Sequence, residues 1–189
     1  ENSHPIEANV NNPAEISQLF DAISYSKGAS IIRMLEQFIG PEWFRKGLYR
    51  YLSEHQYSNA HGHNLWQAME EESGQPVTKI MESWIRQTGF PFIHTAVRQA
   101  EDRVDVHVSQ HRFLYNMRRQ DPTVWDVPIS ITTQGLTDAT QHLLSNREDI
   151  VSLPTELPEE NGWIKVNSRQ TGFYRVHYMD KEWDKLIPA

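Results

Sequence analysis

The sequence predicts an α+β chain built as two units in series, helices first and antiparallel strands after them, and three observations carry that expectation. Apolar residues recur at helical spacing through residues 13–89. From Phe92 the period drops to two, most plainly at Val104, Val106 and Val108, which alternate with polar neighbours as in a half-buried strand. Gly89 and Pro91 lie between the two patterns, so the boundary is expected at residues 89–92. Strands that follow helices instead of alternating with them argue against an interleaved α/β sheet.

The elements can be justified in chain order. Asn12 is placed to cap a helix with Pro13 at its first position and Glu15 at the third, which would satisfy otherwise orphan N–H groups. Ile16, Leu19, Phe20 and Ile23, then Ile31, Ile32, Met34, Leu35, Phe38 and Ile39, keep helical spacing around a polar interruption at residues 24–28, so two helical pieces with a break are expected. Gly40 followed by Pro41 ends one helix and starts the next, in which Trp43, Phe44, Leu48, Tyr51 and Leu52 should line one side. Asn64 is expected to open a short helix that Gly74 closes. Pro76 is expected to open another, with Val77, Ile80, Met81, Trp84 and Ile85 as its buried stripe. Strands are expected at 103–111, 125–133, 142–144, 163–166 and 172–178, separated in part by the turn pairs Gln134-Gly135 and Asn161-Gly162.

Composition removes several function classes. Across 189 residues, 18 basic residues stand against 25 acidic ones, and no window concentrates Lys or Arg, so nucleic acid is not an expected partner. The absence of Cys excludes a disulfide, a thiolate metal site or a cysteine nucleophile in this stretch. No run reaches the roughly 18 apolar residues of a membrane span, and the N-terminal residues carry no targeting pattern. The chain begins without Met and ends in DKEWDKLIPA, which has the character of the first turns of a helix; both ends are expected to be cut from a longer protein.

Nine histidines raise the question of a metal, yet none is followed by Glu, so H-E-x-x-H is absent. His61 and His63 flank a glycine and could share an ion, but an open zinc site wants three protein ligands, and a solvated loop explains the pair more simply. His111 and His177 fit outward strand positions or satisfied sheet histidines. Ser residues have no G-x-S-x-G context, and the acidic run at Glu70, Glu71 and Glu72 fits a solvated helix face. What remains is Tyr25, which sits in the polar break with Gly28 beyond it, where its hydroxyl could be held out of the core. On an ideal helix Phe20 and Tyr25 would point about 140° apart, so both can face one cleft only if the break is real.

The segment FDAISYSKGASIIRML, residues 20–35, closely resembles the F-D-x-x-S-Y-x-K-G-A-x-x-x-x-M-L pattern of the gluzincin (M1) aminopeptidases related to aminopeptidase N. SHPI and NNPAEI precede it, and WIRQTGFPF, QHRFL, WDVPISI and WIKVNSRQTGFYRVHY follow, in the order that family has them, so the resemblance covers essentially the whole chain. It implies that residues 1–90 are the helical C-terminal part of a thermolysin-like catalytic domain, 91–178 an antiparallel β-sandwich, and 179–189 the start of a further helical domain. Zinc is implied for the full-length parent only, because the H-E-x-x-H and the third zinc-ligand Glu of the family lie upstream of SHPI. This chain is expected to hold no metal and to be inert by itself.

Carried over residue by residue, Tyr25 matches the family's catalytic tyrosine, which donates a hydrogen bond to the oxyanion formed at the scissile carbonyl. Phe20 matches an aromatic lining the pocket for the substrate's N-terminal side chain. Lys27 and Gly28 match without an assigned role. The implied activity is removal of N-terminal residues from a peptide substrate. Two other readings stay open, a non-catalytic scaffold or interaction module of a degenerate homologue, and a free-standing metal protein using His61 and His63.

Overall fold

A computed structural model describes residues 3–7, 12, 20–115, 121–134, 136–155, 157 and 162–187. The expected helix start at Pro13 and Glu15, and the turn residues Gly135 and Asn161, lie outside the described residues. The chain divides into two compact units, Glu1–Thr88 and Gly89–Ala189.

The first unit is helical. A π-turn at Ile23–Lys27 runs directly into α1, Gly28–Ile39, and is followed by α2, Pro41–Glu54, α3, Gly62–Ser73, and α4, Val77–Ile85. Its core is made by stripes at helical spacing: Ile31, Met34, Leu35 and Ile39 from α1, Trp66, Ala68 and Met69 from α3, and Val77, Ile80, Met81 and Trp84 from α4. Gly40, at φ 92°, makes the left-handed corner between α1 and α2 that the Gly-Pro pair predicts.

Three expectations for this unit are corrected. In α2 the residues Trp43, Leu48 and Leu52 are exposed, and Gly47 is the one buried residue, because a Cβ at Gly47 would stand 2.8 Å from the Cα of Met69. The two helices therefore approach backbone to backbone along Gly47, and the apolar residues to either side are left outside that contact. Asn64 does not open α3; it is the third residue of the helix, and its Oδ1 accepts the N–H of His61 at 2.9 Å, as in a capping box. The acidic run is not merely solvated: Glu71 and Glu72 pair with Arg50 of α2, while Glu70 accepts the Thr78 N–H at 2.8 Å at the start of α4.

The second unit is two sheets. β1, Pro91–Gln99, β2, Val104–Arg112, β3, Val127–Thr133, β4, Thr140–Leu144, β5, Glu148–Leu153, β6, Ile164–Val166, and β7, Arg175–His177, are followed by α5, Asp180–Leu186. Their orders are β5-β2-β1-β7 and β4-β3-β6. Inward residues alternate strictly on β2, where Val104, Val106, Val108 and Gln110 are all fully buried. Gln110 joins the layers: its amide donates to the carbonyls of Trp125 and Asn146, both at 2.8 Å, and accepts from the Trp125 N–H at 2.9 Å.

The mixed α+β class expected from the sequence is the one observed, with one departure in direction. β7 pairs with β1 in parallel, Phe92 against Arg175 and His94 against His177, so the sheets are not wholly antiparallel. β5 was not among the expected strands; it is a short edge strand whose outward Glu148, Ile150 and Ser152 hide the alternation of Val151 and Leu153. In α5, Glu182 is buried and accepts the N–H groups of Met179 and Val97, both at 3.0 Å, which fastens the helix start to the β1 edge.

Candidate functional site

The polar break seen in the sequence is the π-turn. Here the Tyr25 and Ser26 N–H groups reach the carbonyls of Asp21 and Ala22 at 3.1 and 2.9 Å, while the Lys27 N–H reaches five residues back to Ala22 at 3.1 Å. A turn widened by one residue of this kind shifts the phase of the side chains that follow. Phe20 lies just before it and is not helical. Together these bring the Phe20 and Tyr25 rings to 6.0 Å between centroids, stacked at 29°, where an uninterrupted helix would have turned them apart. Both rings are exposed, Phe20 by 67% and Tyr25 by 62%.

Gly28 is not a flexible joint: it opens α1 at φ −55°, an ordinary helical value. Lys27, by contrast, is buried, and its ammonium donates to the Gln87 carbonyl at 3.2 Å, tying the π-turn to the chain beyond α4.

Two residues with no role assigned from sequence organise the turn. One oxygen of Asp21, Oδ1, accepts the N–H groups of Ile23 and Ser24, each at 2.9 Å. Its other oxygen, Oδ2, lies 2.8 Å from His4 Nε2, and His4 Nδ1 lies 2.7 Å from the Pro5 carbonyl. Both partners of that imidazole are acceptors, so both bonds form together only when the ring carries two protons. The Pro5 carbonyl and then Asp21 accordingly hold His4 above the ordinary histidine value, against its partial burial and the charge of Lys27. Asp21 is held below the usual carboxylate range by the Ser24 N–H and by His4. The strand of chain bearing His4 is anchored at its other end, where the Glu7 N–H donates to the Ile85 carbonyl at 2.9 Å. An Asp two and three residues ahead of the first N–H groups of a helical turn is a recognisable local cap; the long-range His4 contact leaves no such mark.

His61 and His63 are both exposed, at and just inside the start of α3. His111 and His177 are exposed on outward strand positions, as expected, and flank a third imidazole, His94, at 5.3 and 5.0 Å between ring centroids. Burial, then the neighbouring His111 and His177, lower the pKa of His94. No group of three or more His, Cys, Asp or Glu among the described residues is arranged to hold a metal ion. No helix among them is long and apolar enough to cross a membrane.

The chain thus carries a helical unit that presents Tyr25 on a π-turn, followed by a two-sheet unit. Residues 1–84 match the model of the Peptidase family M1 domain. The chain is 41% identical over 186 residues to Aminopeptidase M1-B of Oryza sativa subsp. japonica, which aligns with 95% of this chain and 21% of its own length. It is 39% identical over 188 residues to Tricorn protease-interacting factor F2 of Thermoplasma volcanium, covering 100% of this chain and 22% of that protein. To Glutamyl aminopeptidase of Rattus norvegicus it is 40% identical over 189 residues, 96% of this chain and 19% of the relative. The chain belongs to peptidase family M1, and it spans about a fifth of the length of these curated relatives.

Proposed function

We propose that this chain is the tyrosine-bearing segment of a zinc aminopeptidase that removes N-terminal residues from peptides. In this reading residues 1–90 are the helical end of the catalytic domain, 91–178 the following β-sandwich domain, and 179–189 the opening of a further helical domain. The carrying observation is Tyr25: an exposed phenol on a π-turn, beside an exposed Phe20, in a stretch that matches the family model. π-turns inside helices occur often at functional sites, and this one presents two exposed aromatic rings side by side.

The chain's own residues do not fit a zinc site, since H-E-x-x-H is absent from the sequence. When bound in the full-length protein, zinc would supply Lewis-acid chemistry from ligands elsewhere. This segment contributes a hydrogen-bond donor. Tyr25 donates to the oxygen that gains charge as the scissile carbonyl becomes tetrahedral, and a donor fixed before reaction costs no reorganisation when that charge appears. Phe20 offers an apolar wall for the substrate's N-terminal side chain.

The test is hydrolysis of an aminoacyl anilide by the full-length protein, compared with the same anilide blocked at its amino group, alongside metal content. Turnover of the free substrate alone, with one zinc per chain, supports the reading. A full-length protein that binds zinc but hydrolyses neither substrate, or that lacks zinc altogether, favours a non-catalytic scaffold.

A further inference from the structure

Asp21 divides its two oxygens between two tasks. Oδ1 binds the first two free N–H groups of the π-turn, those of Ile23 and Ser24, and Oδ2 is gripped by the His4 imidazole at 2.8 Å. His4 cannot follow Asp21 passively, because its other nitrogen is fixed on the Pro5 carbonyl at 2.7 Å. The backbone carbonyl of Asp21 is used as well, by the N–H of Tyr25 at 3.1 Å. The N–H groups that Asp21 accepts, those of Ile23, Ser24 and Tyr25, thus all lie in the short stretch that ends in Tyr25.

The energetic reason for such a grip lies in the turn itself. A π-turn holds one residue more than an α-turn and is the rarer conformation. The reach of five residues back is made by the Lys27 N–H, so relaxation toward ordinary helical bonding there would rearrange the backbone between Ala22 and Lys27, on which Tyr25 sits. That would shift the Tyr25 ring and its hydroxyl relative to Phe20. Groups bonded to Ile23 and Ser24 hold the start of the turn in the phase that keeps the two rings stacked.

We propose that Asp21, oriented by His4, is the positioning residue that sets the phase of the π-turn and thereby the place of the Tyr25 hydroxyl in the reaction. Neither side chain touches substrate in this proposal; both act through the backbone. It rests on the reading of Tyr25 as an oxyanion donor.

The experiment is a double-mutant cycle in the full-length, zinc-loaded protein, with kcat and KM measured on an aminoacyl anilide. Asp21→Ala is expected to lower kcat by about 10- to 100-fold, the scale of a misplacement near 1 Å, with KM changed less than about threefold. In a Tyr25→Phe background the same substitution should cost less than about twofold, since no hydroxyl is left to misplace. Asp21→Asn retains an acceptor for Ile23 and Ser24 and can offer its amide to a neutral His4, so it should keep kcat within about threefold of wild type. His4→Ala should lower kcat less than Asp21→Ala and be silent in the Tyr25→Phe background, which keeps the test decisive if Asp21→Ala fails to fold. Equal fold losses in both backgrounds, or Asp21→Asn as damaging as Asp21→Ala, overturn the proposal and leave Tyr25 untouched. If Tyr25→Phe alone leaves kcat unchanged, the oxyanion reading fails first and takes the proposal with it, a result that appears before any Asp21 variant is compared.

Discussion

Gln110 and Asp21 are both polar side chains spent on backbone groups, yet one closes a core and the other shapes a surface. Gln110 is fully buried and joins the two sheets of the second unit through the loops before β3 and after β4. Asp21 is partly exposed and accepts two N–H groups at the start of the π-turn that carries Tyr25. The difference follows the packing. The sheet unit buries inward faces of both sheets, where a polar side chain such as Gln110 needs partners. The helical unit buries stripes of α1, α3 and α4 but only Gly47 of α2, and leaves Phe20, Tyr25, Trp43, Tyr49 and Leu52 exposed.

That contrast can be broken or sharpened by substitutions in each unit. The largest stability effect is expected from Trp84→Ala at the centre of the helical core, where the side chain is fully buried, and should be about 3–5 kcal/mol. Hydrogen exchange should report it in α1, α3 and α4, with β1 to β3 unchanged. Gln110→Ala should do the reverse, unprotecting the sheets at a cost of about 1–3 kcal/mol for each buried group left unpaired. If either substitution loosened both units equally, the two would have to be treated as one cooperative body.

Gly47→Ala weighs two opposed effects. Alanine gains about 1 kcal/mol in helix propensity, but its Cβ would press on the Met69 backbone at 2.8 Å, and overpacking of this kind costs about 1–3 kcal/mol. Backbone has no rotamer to yield, so a net loss is expected in thermal melts. A gain in stability would mean that α2 and α3 are free to slide apart.

The smallest effects should be opposite in sign. His4 has a raised pKa in the folded helical unit, so its contribution is complete below the ordinary histidine value of 6.5 and fades as pH rises through the higher folded value. His94 has a lowered pKa in the sheet unit, so its contribution is present above 6.5 and is lost as pH falls toward the folded value. Between mildly acid and neutral pH, unit-resolved exchange should show protection near Asp21 declining as protection near β1 and β7 increases. Replacing His4 and His94 by Gln should flatten the respective trends.

Much of the fold was legible because burial here follows period. The Gly40 corner and the β2 alternation are local patterns that survive into the structure, as do the α1 and α4 stripes apart from the exposed Ile32 and the half-buried Phe38 and Ile85. What escaped was set by contacts distant in sequence. The buried face of α2 is decided by Gly47 meeting Met69, not by its own Trp43, Leu48 and Leu52. The parallel pairing of β7 with β1 joins residues more than eighty apart, and no periodicity specifies direction. At the site, the break around Tyr25 was readable from polar residues in an apolar stripe, and its functional weight came from the resemblance. His4 was invisible because its partner Asp21 lies seventeen residues on.

The central claim is that the Tyr25 hydroxyl acts on the transition state, and removing that one oxygen tests it most directly. In the full-length protein Tyr25→Phe keeps the ring and its stacking on Phe20, so zinc content and KM should change little. The account predicts a fall in kcat of about 10²- to 10³-fold, the scale of one preorganised oxyanion donor. A variant that kept more than about a third of wild-type kcat with zinc still bound, far short of that scale, would contradict it.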